Sequence, residues 1–194
     1  IKSLSFEDSR GAQIQNLQTD FSYSLTQMKF EQLEIKSPSS LLLGQLQFDY
    51  DRKDFKDFLN KVKISGFLKN STLDLEELNV FYNEFGSNQK ADLNTIFSGT
   101  LNDLLLNKID LITNNNTSIV GEIQFKNLFK DTSENFEMDG NFQQIASTYN
   151  DLKALLPRVL GNSIPSIFNT LGRFDMQGTA KVSIYTIETD MDIE

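Results

Sequence analysis

The chain has 194 residues, of which 18 are basic and 27 acidic, and its net charge is −9. It contains no Cys, His or Trp, which excludes disulfides, thiolate nucleophiles, imidazole bases and the usual zinc sites. The negative charge disfavours nucleic acid as a partner, because a phosphate backbone would be repelled. The remaining residue types form no recognisable catalytic, cofactor or metal pattern, so we expect a protein that is not an enzyme and needs no cofactor.

The sequence begins with Ile and shows neither a signal-peptide core nor a run of about 18 apolar residues. Its hydrophobic fraction of 39% is ordinary for a folded chain. We therefore expect residues 1–194 to form a single folded segment of a larger protein whose targeting information lies elsewhere.

Short stretches of alternating polarity, separated by clusters rich in turn-forming residues, predict many strands. The predicted strands are, in order, 2–7, 12–17, 20–26, 28–36, 41–50, 62–69, 72–80, 90–101, 104–113, 117–126, 134–143, 174–186 and the last few residues.

Helical patterns are scarce by comparison. A short helical turn is predicted at 52–60, and a helix runs from Ser147, which we expect to cap it, to Leu156, where Pro157 stops it. A second short helix is expected after Ser163, with the apolar stripe Ile164, Ile167, Phe168 and Leu171, and Gly172 closing it. The sequence thus predicts a short helical insertion near 147–171.

Six of the ten glycines share one local pattern, in which an apolar residue lies two positions before and two positions after the glycine. Residues two apart in a strand point to the same face, so each triplet places a glycine between two apolar side chains. A strand can bend or be approached closely at such a point. The triplets are Leu42-Gly44-Leu46, Ile64-Gly66-Leu68, Phe97-Gly99-Leu101, Ile119-Gly121-Ile123, Met138-Gly140-Phe142 and Met176-Gly178-Ala180.

The positions between these apolar residues are polar, which predicts a sheet with one apolar and one polar face. We expect an all-β fold, built as an elongated, curled, open sheet creased at its glycines. The alternative is an ordinary closed barrel or sandwich, in which strand glycines serve bulges and corners. The polar positions include Gln45, Gln47, Asp49, Thr100, Glu122, Gln124, Glu137, Asp139, Gln177 and Lys181.

An open sheet with one apolar face exposes more contiguous apolar area than monomers usually tolerate, so we expect it to hold a ligand. Burial of an acyl chain of roughly sixteen carbons gains on the order of ten kcal/mol, at about 0.8 kcal/mol per methylene, before entropic costs. The alternative is that the same side chains form a core closed by the helical insertion. The residues expected to line a lipid groove are Leu42, Leu46, Ile64, Leu68, Phe97, Leu101, Ile119, Ile123, Phe125, Met138 and Phe142.

Several stretches share a running pattern with a known family. They are 71–81, 97–104, 108–111, 117–121 and 151–157, the last followed by Ile164-Pro165, Leu171-Gly172 and Gly178. These stretches resemble AsmA-like proteins, and the TamB branch is the nearest match. The resemblance covers most of the chain, and the richness of the chain in Asn, Lys and Phe is similar to TamB homologues of Bacteroidota.

This resemblance implies a groove-forming sheet, often called a β-taco, in a periplasmic protein of Gram-negative bacteria that is anchored in the inner membrane. The family, known as a translocation and assembly module, is implicated in phospholipid transport and outer-membrane biogenesis. The implied partners are phospholipid and, through regions outside this chain, an outer-membrane barrel of the TamA type. Membrane contact is likewise expected only through parts of the full protein that lie outside this chain.

Two other functions stay open. An exposed sheet edge pairs with other strands through main-chain hydrogen bonds, so a periplasmic scaffold or chaperone assisting outer-membrane protein assembly is the first alternative. A carbohydrate-binding domain is the second, and it ranks last because Tyr is sparse and Trp absent.

Overall fold

The computed structural model describes residues 1–9, 11–80, 84–128, 136–161, 164–183 and 185–194. These residues form one antiparallel sheet of eleven strands, in which each strand pairs with the next along the chain. The strand order is linear and does not return to β1, so the sheet is open and the closed barrel or sandwich is excluded. The strands are β1 Leu4–Glu7, β2 Gln13–Tyr23, β3 Gln27–Lys36, β4 Leu41–Asp49, β5 Lys63–Asp74, β6 Lys90–Thr100, β7 Asp103–Thr113, β8 Ser118–Lys126, β9 Glu137–Thr148, β10 Arg173–Ser183 and β11 Ile187–Ile193.

Short helices occupy three of the connections. The α-helices are α1 Phe58–Lys61, α2 Tyr149–Leu155 and α3 Pro157–Leu160, and the 3₁₀ segments are Arg52–Asp57, Leu75–Val80 and Ser166–Thr170. The ends of the strands lie along two borders of the sheet. We call the border at which β2, β4, β6, β8 and β10 end the lower rim, and the opposite border the upper rim. The 52–61 helical segment lies at the lower rim, and the other helical segments lie at the upper rim.

The apolar side chains of successive strands share one face of the sheet. Residues directly opposite each other in an antiparallel pair point to the same side, and Leu46 pairs with Gly66, Gly66 with Phe97, and Phe97 with Leu106. Exposed polar residues such as Glu122 and Lys181 occupy the other face. The expected division into an apolar face and a polar face is therefore present across the sheet.

The sheet is creased at its glycines. A Cβ built on Gly44 would collide with the carbonyl oxygen of Phe67, and one built on Gly121 with that of Asn141. Because a Cβ stands roughly perpendicular to its sheet, the neighbouring strand must rise over the apolar face at these points. The sheet therefore curls towards its apolar face. Such main-chain approaches join β4 with β5, β6 with β7, β8 with β9, and β10 with β11.

The helical insertion between β9 and β10 folds over the upper part of the apolar face. Leu152 and Leu155 of α2 are buried in one cluster with Leu93, Leu111 and Ile145 of the sheet. The helix contacts β9, and its buried side chains share one cluster with residues of β6, β7 and β9, so this part of the face is a conventional core.

Details of this insertion differ from the prediction. The helix cap is Thr148, whose hydroxyl accepts a hydrogen bond from the Asp151 amide at 3.2 Å, because the Ser147 side chain points into the core. The helix does end just before Pro157, as predicted, since α2 stops at Leu155. Pro157 then begins a further short helix, α3, at a position that suits proline because it has no amide hydrogen to donate.

The second predicted helix is a 3₁₀ segment, Ser166–Thr170. Phe168 packs on Phe174 with ring centroids 5.3 Å apart, whereas Ile167 and Leu171 are exposed, so only part of the predicted stripe packs. Gly172 has φ +71° and closes the segment as expected. Ser163 lies outside the described residues.

Two predicted strand breaks are wrong. The predicted strands 12–17 and 20–26 correspond to one strand, β2, which contains a register shift between Gln18 and Asp20 and ends at Tyr23, so that residues 24–26 lie in the following turn. Likewise β5 continues to Asp74 through a shift between Leu68 and Ser71, and 75–80 is a 3₁₀ segment, not a strand. Of the predicted strand 134–143, residues 134 and 135 lie outside the described part, and β9 extends to Thr148.

Candidate functional site: the lower row of the apolar face

One line of register partners crosses ten strands near the lower rim. Each member pairs directly with the next, from Tyr23 on β2 to Ile187 on β11. With ten strands about 4.8 Å apart, the line is about 43 Å long. We call it the lower row, and it consists of Tyr23, Met28, Phe48, Ile64, Gly99, Leu104, Phe125, Met138, Val182 and Ile187.

All nine side chains of the lower row keep solvent access. Tyr23 is 64% and Ile187 37% exposed, and the side chains between them are partly buried. The equivalent line near the upper rim contains Leu93, Leu111 and Ile145, which are buried under the helical insertion. The apolar face is therefore covered at the top and accessible along the bottom.

The predicted groove residues divide into four groups. Ile123 and Phe142 are buried in the core cluster, and Leu68, Ile119, Phe125 and Met138 are partly buried against it. Leu42, Leu46, Ile64 and Phe97 are partly buried and lie apart from this cluster in the described structure. Leu101 lies in the turn between β6 and β7, beyond the strand that was predicted to include it. Ten of the eleven therefore share the apolar face, and Ile64, Phe125 and Met138 belong to the lower row.

A row of aromatic rings on β2 to β4 was missed at the sequence level. The ring centroids of Phe21 and Phe30 are 4.9 Å apart, those of Phe30 and Phe48 6.0 Å, and those of Phe48 and Phe58 5.8 Å. β2 and β3 show the same two-residue alternation as the triplets but without a central glycine, and in β4 Phe48 continues the alternation of the Leu42-Gly44-Leu46 triplet by one more step. The alternation alone would have identified them.

The helical segment 52–61 closes the end of this aromatic row at the lower rim. The Leu59 carbonyl accepts a hydrogen bond from the Asn102 amide at 3.0 Å, and the Asn102 side chain donates to that of Asn60 at 3.1 Å. These bonds tie the segment to the β6–β7 turn. Phe55 of the same segment packs on Tyr50, with centroids 4.6 Å apart, yet it remains 44% exposed.

Hydrogen bonds between side chains join the strands on the polar face. The Asp49 carboxylate accepts from the Gln27 amide at 2.8 Å and from the Gln47 amide at 2.7 Å. The Gln27 bond is the main cause that lowers the pKa of Asp49, with burial opposing it and the Gln47 bond and nearby Lys29 and Lys63 adding to it. This network stabilises the charged carboxylate across β3 and β4.

The lower row offers apolar contact and no built polar site. In the part of the chain that the structure describes, no group of three or more carboxylates could hold a metal ion. All buried side-chain nitrogen and oxygen atoms found there have hydrogen-bond partners. Such a surface can bind a hydrocarbon chain but provides no buried donor to fix its orientation.

No helix among the described residues combines the length and the apolar character needed to cross a membrane. Comparison of the chain with protein-family models, with curated proteins and with solved structures gives no match.

Proposed function

We propose that this chain is a segment of a periplasm-spanning bridge-like protein of the TamB kind, whose apolar face carries phospholipid acyl chains between the inner and outer membranes. On this proposal it is not an enzyme, and the full protein is anchored in the inner membrane. The observation that carries the proposal is the lower row, an accessible apolar line that crosses ten strands of an open sheet. The resemblance to AsmA-like proteins supports it from the sequence.

The path of the acyl chain follows from what the helices cover. The insertion buries the upper part of the apolar face, so the acyl chain lies along the lower row. It also lies beside Leu46 and Phe97, which belong to the next line of register partners towards the upper rim. Exposed apolar surface of this extent is unusual for a monomer that binds nothing. A ligand that covers it contributes about 0.8 kcal/mol for each methylene removed from water.

Transport also requires that the acyl chain bind with similar free energy at neighbouring positions along the path, because one deep pocket would retain it. The lower row repeats side chains of similar size and polarity at each strand, and Gly99 leaves one shallow break. No charge interrupts the row. An acyl chain that moves from Ile64 to Leu104 therefore exchanges one aliphatic contact for another.

The proposal is tested with a photo-crosslinking residue at position 104 in cells, and with a matched probe at position 105. Leu104 and Leu105 are adjacent and identical in type, but Leu104 belongs to the lower row and Leu105 pairs with Gln124 on the polar face. Phospholipid adducts at 104 and not at 105 support the proposal. Equal adducts at both positions, or none at 104, contradict it.

Protein adducts at position 104 would instead favour the scaffold or chaperone alternative. That alternative draws on β1 and β11, which pair with another strand on one side only in the described sheet. Their other sides present main-chain groups that an added strand can pair with.

A further inference from the structure

A short segment at the lower rim combines aromatic contact with the lower row and basic side chains. Phe58 of α1 packs on Phe48, a member of the lower row, with ring centroids 5.8 Å apart. The hydrogen bond from the Asn102 amide to the Leu59 carbonyl holds the segment beside the β6–β7 turn. The segment is therefore fixed where a ligand on the lower row would emerge at the rim.

Spacing places two cations on the aromatic side of this segment. In a 3₁₀ helix, side chains three residues apart are eclipsed, so Arg52 lies in line with Phe55. In α1, Phe58 and Lys61 are also three apart and share a side. Arg52 and Lys61 are exposed, and neither forms an ion pair with another described residue, whereas Lys53 pairs with Asp51 at 3.5 Å.

The sign of the charge here is opposite to that of the rest of the chain. Residues 51–63 contain five basic and three acidic residues, a net charge of +2, whereas the remaining residues contain 13 basic and 24 acidic, a net charge of −11. The 52–61 helical segment and its flanking residues therefore form a locally basic stretch in an acidic chain, which favours an anionic group beside it.

We propose that Arg52 and Lys61 bind the head group of a single amphiphile with net negative charge, a lipid whose phosphate or carboxylate is not balanced by a cation on the same head group, while its acyl chain lies on the lower row beside Phe48 and Phe58. This inference rests on the proposed function and adds to it a preference among head groups. Arginine and lysine bind phosphate and carboxylate oxygens through charge-assisted hydrogen bonds, and their long apolar stems can lie along apolar surface while the charged group stays in water.

The test compares two lipids that differ only in head group. Dioctanoyl phosphatidic acid and dioctanoyl phosphatidylcholine, each below its micellar concentration, are titrated into the full chain by calorimetry. We expect the wild type to bind the phosphatidic acid about fivefold more tightly, because two exposed charge pairs form, each of which contributes only modestly. The double variant Arg52→Gln/Lys61→Gln loses this preference and keeps its affinity for phosphatidylcholine.

The control variant Lys36→Gln/Lys108→Gln removes the same charge from exposed positions on the polar face and keeps the preference. If Arg52→Gln/Lys61→Gln retains the preference, or the wild type has none, the inference is wrong while the proposed function stands. If neither lipid binds the wild type, the proposed function fails and this inference fails with it. Binding to phosphatidylglycerol vesicles that requires Arg52 and Lys61, without any preference among monomeric lipids, assigns these residues to a membrane surface and overturns the inference.

Discussion

The hydroxyls of Thr117 and Ser147 share a hydrogen bond of 2.6 Å where β8 begins and β9 ends. Thr117 is 1% and Ser147 0% exposed, so the pair is buried in the core directly before α2. The Ser147 side chain therefore points into the core and leaves the cap of α2 to Thr148. The bond therefore joins β9, the strand that precedes the helical insertion, to the start of β8.

We expect Thr117→Val and Ser147→Ala each to lower the free energy of unfolding by about 1 to 3 kcal/mol, since each leaves a buried hydroxyl with poorer hydrogen bonding. The double variant removes both hydroxyls and is expected to cost less than the sum of the two, by about 0.5 kcal/mol or more. Chemical denaturation of the four proteins measures this. Strictly additive effects would show that the two hydroxyls do not interact.

Ile64 and Ile123 lie on the same face, and exposure distinguishes them. Ile123 is 8% exposed and belongs to the core cluster, so Ile123→Asp buries an unpaired charge and should cost about 4 kcal/mol or more. Ile64→Asp keeps its carboxylate at the accessible lower row and should cost clearly less. Urea titration followed by far-ultraviolet circular dichroism gives both values. Equal losses would mean that the lower row is core.

Leu104→Asp should weaken binding of a fluorescent fatty acid about tenfold, because one apolar contact of about 1.5 kcal/mol is lost in the lower row. Leu105→Asp places the same charge one residue away on the polar face and should leave the affinity unchanged. Fluorescence titration of the two variants and the wild type provides the comparison. Unchanged binding by Leu104→Asp would place the ligand elsewhere.

The crease at Gly44 predicts an unusual cost for a single methyl group. Gly44→Ala directs a Cβ into the Phe67 carbonyl, so β4 and β5 must separate, at about 3 kcal/mol. Gly11→Ala meets no atom within 4 Å but keeps a φ of +94°, so only backbone strain of about 1 kcal/mol is expected. Thermal unfolding ranks the two variants. The creased geometry is wrong if Gly44→Ala is the milder change.

Asp49 should make the stability depend on pH in the acid range. Its pKa is lower in the folded chain than the ordinary value of 3.8, so its stabilising effect is complete above that value and is lost as the pH falls through the folded pKa. Asp49→Asn should flatten this dependence, and Gln27→Leu should reduce it by removing the main hydrogen bond. Denaturant titrations at a series of pH values from neutral to about 3 measure the slopes. Identical slopes in the wild type and Asp49→Asn would contradict the assignment.

The alternation of apolar residues was sufficient to predict an all-β chain and the face on which most of its apolar side chains lie. Bulges account for the wrong strand breaks. In β5 the register shifts between Leu68 and Ser71, and Asn70 has a φ of +53°, so the pattern changes phase without the strand ending. A phase change in a single sequence looks the same as a loop, because both interrupt the period of two.

The accessible and covered parts of the apolar face could not be separated from the sequence. Ile64 and Ile123 stand in equivalent triplets beside a glycine, and their local patterns are the same. Their exposure differs because Ile123 belongs to the core cluster that also contains Leu152 and Leu155, far away in the sequence, whereas Ile64 does not. The extent of this cover depends on tertiary packing, which a local period does not encode.

The creases recur at every second strand interface, and each creased pair is a hairpin that turns at the lower rim. A whole hairpin is therefore the unit by which such a sheet can gain or lose length. Adding or removing one would shift all later strands by about 10 Å along the curl, twice the spacing between strands. The direction of those strands and the face on which their hydrophobic side chains lie would be preserved. A single added strand would reverse the direction of every strand after it and move their turns to the opposite rim.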